Sequence, residues 1–130
     1  MILDTSAIVA ILTSEPDVAR FQNAMLNASS MAISSVTALE TRIVLHSRFG
    51  AEAVGEFDEM LDNAGIVVVP FDGELARVAF DAFRRYGKGQ GHPAQLNIID
   101  CAAYALAKAQ AEPLLFKGSD FDKTDIASAL

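Results

Sequence analysis

The 130-residue chain predicts an α/β fold, a central parallel sheet of four or five strands flanked by helices on both faces. Three observations carry that expectation. Short apolar runs rich in β-branched residues alternate with longer helical stretches from one end of the chain to the other. No internal repeat, low-complexity tract or linker interrupts the alternation. The length is near the commonest domain size, enough for one core and too short for two, so residues 1–130 read as a single domain.

The elements follow in order. Residues 1–4 form a short apolar strand, and Thr5 and Ser6 start a helix running to Leu12. Pro16 suits the first turn of a second helix over residues 17–27. Residues 31–34 are a second strand, and Ser35 is placed to cap a long helix reaching Arg48, which Gly50 ends. Ala51–Asn63 is the next helix. The β-branched run 66–69, ending at Pro70, is the clearest strand. Asp72 caps a helix to Tyr86, and the glycine-rich stretch 87–93 is a loop. Residues 96–110 are helical, residues 114–116 make a fourth strand, and Gly118 opens the last turn.

Charge and composition narrow the class. The formal net charge is -7, which argues against a general nucleic-acid binder. The charge is uneven, however: residues 1–83 hold twelve acids and four bases, and residues 84–130 hold five acids and six bases. An acidic chain can therefore still gather bases where a strand of nucleic acid lies. Hydrophobic residues reach 52%, an excess that leans toward surface buried against partners. Asp4 interrupts the N-terminus before an apolar signal region can form, and no stretch is long enough to span a membrane. The lone Cys101 sits in an apolar run and fits a reducing cytoplasm.

Four acids stand where acids are costly. Asp4 follows Met-Ile-Leu at the carboxyl end of the first strand, where open α/β sheets place their chemistry; it would also serve as an N-cap. Glu40 borders an apolar helix stripe, with Val36 and Val44 one turn away on either side; an edge glutamate reaching solvent is the plainer alternative. Asp100 is the one ionised side chain between Lys88 and Lys108. It shares a face with Ala103, Tyr104 and Ala107 and has no base one turn away, so the carboxylate must be paired, neutralised or metal-bound. Asp120 lies just beyond the fourth strand in a Gly-Ser turn, a place where aspartates are also common for purely local reasons. Asp122 and Asp125 read as solvated.

If the four converge, their repulsion needs protons or a cation. Two carboxylates about 4 Å apart repel by roughly 4 kcal/mol at an effective dielectric near 20. Oxygen-only ligation selects hard cations, Mg²⁺ or Mn²⁺. Neither His46 nor His92 is placed for a zinc triad. His46 reads as a helix-surface residue, and His92 as one meeting solvent or RNA.

These residues carry a family resemblance. Met1-Ile-Leu-Asp-Thr-Ser-Ala-Ile resembles the opening of the PIN-domain family, specifically the VapC toxins of bacterial VapBC toxin–antitoxin pairs. Ser35-Val-Thr-Ala-Leu-Glu40, Leu96-Asn-Ile-Ile-Asp100-Cys-Ala-Ala-Tyr-Ala-Leu-Ala and Pro113-Leu-Leu-Phe-Lys-Gly-Ser-Asp120-Phe agree in order and spacing, as do Tyr86-Gly-Lys-Gly and Lys123-Thr-Asp-Ile. The likeness spans essentially the whole chain. It implies a Mg²⁺-dependent endoribonuclease, with Asp4 and Asp100 as metal ligands and Glu40 and Asp120 binding directly or through water. Ser6 matches a hydroxyl supporting the acidic pocket. Metal-activated water would attack the phosphodiester and leave 5′-phosphate and 3′-hydroxyl ends. The resemblance further implies homodimers and a VapB-type antitoxin partner. One departure is Ile99, where this subgroup often carries glycine; the added side chain bears on substrate access.

Arg84, Arg85 and Lys88, with His92 beyond, form the basic cluster near the glycine loop. They are read either as RNA-backbone contacts or as cations favourable to a helix C-terminus. Lys117 and Lys123 flank Asp120, where they can meet phosphate. Two rival functions use the same acids. A phosphoryl-transfer enzyme would use Asp4 as nucleophile, but the second aspartate of haloacid dehalogenase-like phosphatases is replaced by Ser6. A non-catalytic module would use the acids only to hold an ion or dock a basic peptide.

Overall fold

The computed structural model describes all residues, Met1–Leu130. The order of elements is β1 (Ile2–Leu3), α1 (Thr5–Leu12), α2 (Val18–Asn27), β2 (Ala32–Ser34), α3 (Ser35–Phe49), α4 (Ala51–Asn63), β3 (Val67–Val69), α5 (Gly73–Tyr86), α6 (Ile98–Gln110) and β4 (Leu114–Leu115), followed by a 3-10 turn at Phe121–Lys123. The four strands form one parallel sheet in the order β3-β2-β1-β4. Ile2 pairs with Ala32 and Leu114, and Ile33 with Val68. The expected fold class is the observed one.

Period-two alternation along each strand divides the core. Ile2, Ala32 and Leu114 face one cluster with α5 and α6, while Leu3, Ile33 and Leu115 face the other with α1, α2, α3 and α4. Both faces are thus covered, as an all-parallel sheet requires. The two sheet edges differ. Strand β3 leaves Val67 and Val68 exposed. Beyond β4 the C-terminal tail takes the fifth place: the Leu114 N–H donates to Ala127 O at 2.9 Å and the Ala129 N–H to Leu114 O at 2.9 Å.

Strand order reverses at β1. The chain runs outward through β2 and β3, then crosses back to β4 on the other side of β1. The crevice beyond the carboxyl end of β1 is where such a sheet can hold a ligand, and Asp4 is the next residue.

Several local expectations change. Ser34, not Ser35, occupies the N-cap of α3, and the Ser35 hydroxyl instead accepts the Phe71 N–H at 3.1 Å, tying α3 to the exit of β3. Pro16 lies ahead of α2, which begins at Val18 with Asp17 at its N-cap. Helix α6 begins at Ile98 because Leu96 pairs with Gly87 in a β-bridge, leaving Asn97 as its cap. Gly50 ends α3 with φ 89°, a conformation that favours glycine. At Gly87 a Cβ would collide with the Phe83 ring and carbonyl, so the turn out of α5 needs glycine for space.

Candidate active site

Asp4 directly follows β1 and is the N-cap of α1. Its Oδ2 accepts the Ser6 N–H at 3.0 Å and the Ser6 hydroxyl at 2.6 Å. The Ser6 Oγ in turn accepts the Lys117 N–H at 2.9 Å, so one hydroxyl joins Asp4 to the segment leaving β4. Asp4 is 5% exposed, and its second carboxylate oxygen, Oδ1, is buried without a hydrogen-bond partner. Burial pushes its pKa up, and the Ser6 bonds offset only part of that. The capping and functional readings of Asp4 are therefore compatible, because one oxygen caps while the other is left over.

Glu40 reaches the same place from α3. The Thr5 and Thr41 hydroxyls lie 3.0 Å apart in the α1–α3 seam, and Thr41 Oγ1 donates to Thr37 O at 2.8 Å, which sets the height of α3 against α1. Glu40 is half-buried, and desolvation raises its pKa, with the Asp4 charge adding to the effect and the Thr5 hydroxyl opposing it. The buried face of α3 is Thr37, Ala38, Thr41 and Leu45, whereas Val36 and Val44, the stripe expected beside Glu40, are only partly buried, as Glu40 is.

Asp100 comes from the first turn of α6. It closes a capping box with Asn97: the Asn97 N–H donates to Asp100 Oδ2 at 2.9 Å and the Asp100 N–H to Asn97 Oδ1 at 2.8 Å. Desolvation lifts it to about 6, and the charges of Asp4, Glu40 and Asp120 push the same way. Asp120 is exposed at the start of the 3-10 turn, and it reaches the others through its charge while standing outside the pocket wall.

Asp4, Glu40 and Asp100 line one open cleft of about 390 Å³. No three His, Cys, Asp or Glu side chains are gathered closely enough to hold an ion as they stand. The three acids share one cleft, with Asp4 fixed by its Ser6 bonds and Asp100 by its Asn97 bonds. The unpartnered Asp4 oxygen and the all-oxygen donor set fit a hard divalent cation, which would supply the missing positive charge.

Arg84 and Arg85 lie in the last turn of α5, the second of their two readings. Arg84, Arg85 and Lys88 do not line the cleft. Arg85 instead donates to the Tyr86 hydroxyl at 2.7 Å and lies 3.6 Å from Asp125. Asp125 is not simply solvated, since it also accepts from the Tyr104 hydroxyl and from Lys108 at 3.1 Å. Lys117 does line the cleft, but its ammonium is paired with Glu15 and, at 2.8 Å, with Asp17. His92 is packed edge-on against Tyr86 at 4.9 Å between centroids, with Nδ1 accepting the Ala94 N–H at 3.1 Å. Ile99 turns away from the acids into a wholly apolar groove of about 610 Å³ walled by Phe71, Phe80 and Phe83. Arg48 is a cleft residue that the sequence reading passed over. The spacing Glu40–Val44–Arg48, four residues at each step, is the signal that would have found it.

Known proteins share this family pattern and this fold. The PIN domain family matches residues 1–127. A ribonuclease VapC of Mycolicibacterium smegmatis is 47% identical over 128 residues, covering 98% of each chain. The crystal structure of Mycobacterium tuberculosis VapC20, described as a Sarcin-Ricin loop cleaving toxin, superposes with a TM-score of 0.80 at 15% identity, over 97% of this chain and 95% of that one. A toxin–antitoxin complex from Klebsiella pneumoniae gives a TM-score of 0.68 at 15% identity, over 92% and 88%. With the strand-end aspartate, the acids of the cleft and the parallel sheet in place, this chain belongs to the PIN-domain family.

Proposed function

We propose that the chain is a Mg²⁺-dependent endoribonuclease, the toxin component of a toxin–antitoxin pair, formed of one PIN domain over residues 1–130. The observation that carries the reading is Asp4: a buried carboxylate with one oxygen tied to Ser6 and the other unpartnered, sharing one cleft with two further acids. The name of the relative that is 47% identical supports ribonuclease activity, and the neighbour described as a toxin–antitoxin complex supports an antitoxin partner.

Asp4 and Asp100 would hold the ion, with Glu40 and Asp120 binding it directly or through water. When bound, a divalent ion supplies a lowered pKa to its water and neutralises charge developing on the phosphoryl oxygens. Mn²⁺ is a chemically suitable substitute. Ser6 keeps Asp4 in one rotamer, so its free oxygen is aimed before the ion arrives. The Asn97 capping box does the same for Asp100. Glu40 lines the same cleft as Asp4, where it can take a proton from the attacking water. Lys117 stands ready to meet substrate phosphate if its acid partners release it, with Arg84, Arg85 and Lys88 as outlying RNA contacts. The apolar groove, where Ile98 is 79% and Phe80 62% exposed, is the face a second copy would cover in a homodimer.

The direct test is cleavage of RNA by the purified protein with Mg²⁺ and with EDTA. Wild type cuts only with Mg²⁺, and Asp100→Asn loses at least about a hundredfold in rate while remaining folded. Undiminished cutting by Asp100→Asn would remove the catalytic assignment.

A further inference from the structure

A ribonuclease must bring a polyanion to a cleft ringed with carboxylates, so the cations in the cleft wall decide how the strand approaches. Two cations line it, Lys117 and Arg48. Lys117 is held by Glu15 and Asp17, two acids for one base. Arg48 makes neither an ion pair nor a side-chain hydrogen bond. Arg42, on the same helix, is by contrast clasped by Asp58 at 2.8 Å. Glu40, Val44 and Arg48 lie on one face of α3 and all border the cleft, with Arg48 about 12 Å along the helix axis from Glu40. A guanidinium there has a planar fork of free donors, weak hydration and a permanent charge, the combination that suits a phosphate diester.

We infer that Arg48 binds a backbone phosphate of the RNA and positions the strand along the α1–α3 side of the cleft, so that a neighbouring phosphodiester lies over Asp4 and Asp100. This rests on the ribonuclease reading above. It adds a residue and a direction: the substrate runs from the acids toward the C-terminal end of α3. Arg48 also lies in the last turn of α3, where any cation is favoured by the helix dipole, so a stability measurement alone does not separate the two roles.

The experiment is steady-state cleavage of a labelled mixed-sequence single-stranded RNA in Mg²⁺ over a series of salt concentrations, with Arg48→Gln, Arg48→Lys and, as control, Arg42→Gln. Arg48→Gln raises KM about tenfold with kcat held within about twofold. The slope of log KM against log salt shrinks in magnitude by about 0.7, the share of one single-strand phosphate contact. Arg48→Lys restores the salt slope and only part of KM, because the charge returns without the fork. Arg42→Gln changes neither. Wild-type KM and salt slope in Arg48→Gln overturn the inference, whatever happens to its melting temperature, and leave the ribonuclease reading intact. Weaker antitoxin binding with unchanged RNA kinetics overturns it too and assigns Arg48 to a protein contact. A wild-type chain that cleaves no RNA overturns the ribonuclease reading and this inference together.

Discussion

Helix α6 carries an acid cluster near its start and another polar cluster along its later turns, and the two are built in opposite ways. Around Asp100, the carboxylates of Asp4, Glu40 and Asp120 share a neighbourhood with no base paired to any of them, and burial with mutual repulsion lifts Asp100 to about 6. Around Tyr104 and Lys108, the single carboxylate of Asp125 is surrounded by donors, and the Tyr104 hydroxyl, Lys108 and Arg85 pull it down to about 2. The same side chain is thus strained at one place and satisfied at the other. The second cluster fastens the C-terminal tail to α5 and α6, whereas the first leaves its charge unbalanced. Acids gathered in a cleft without a paired base are the arrangement expected of a ligand site.

Substitution tests that contrast from both sides. The largest effect is expected from Asp4→Asn: at least about a hundredfold less RNA cleavage, with a melting temperature at or above that of wild type in EDTA. Loss of both activity and fold would place Asp4 among the structural residues. Asp125→Ala should do the reverse. It removes the acceptor for Tyr104 and Lys108, costs about 1 kcal/mol since the cluster is partly exposed, and leaves cleavage near wild type. Denaturant midpoints and a cleavage assay on one preparation check both halves.

An effect of comparable size is in pH. Asp100 holds its proton up to about 6 in the folded state but only to about 3.8 when unfolded. The native state therefore binds the extra proton between those values, and stability in EDTA falls as pH rises from about 4 to about 6. Asp100→Asn lacks that limb and gains about 1–2 kcal/mol over wild type at neutral pH, less than full burial would give because the group still touches water. Asp125 has the opposite sign: its contribution is complete above about pH 4 and is lost as pH falls toward 2. Melts across pH on wild type and the two variants separate the limbs.

How far the sequence could be read follows from the range of each interaction. Asp4 and Asp100 were legible because an apolar neighbourhood makes a charge conspicuous without any knowledge of the fold. Helices on both faces of a parallel sheet were legible as well, since the alternation of short apolar runs with helical stretches is local. Arg48 escaped although its spacing from Glu40 and Val44 is local, because that spacing gains meaning only once α1 lies beside α3 and Glu40 is known to face a cleft. The Asp125 cluster escaped likewise, joining residues 17 and 21 positions apart. The start of α6 was misplaced by two residues although Asn97 and Asp100 spell a capping box. The apolar Leu96 looked helical, and its pairing with Gly87 is a long-range fact.

The central claim is that Asp4 and the acids sharing its cleft are an incomplete charge arrangement that a divalent ion completes. Thermal melts with increasing Mg²⁺, run in parallel on wild type and Asp4→Asn, measure it most directly. The account predicts a rise for wild type that grows with the logarithm of free Mg²⁺ above Kd, reaching about 2.7 kcal/mol at a hundredfold excess, and a flat response for Asp4→Asn. Equal shifts in the two proteins, or none in wild type, would contradict it.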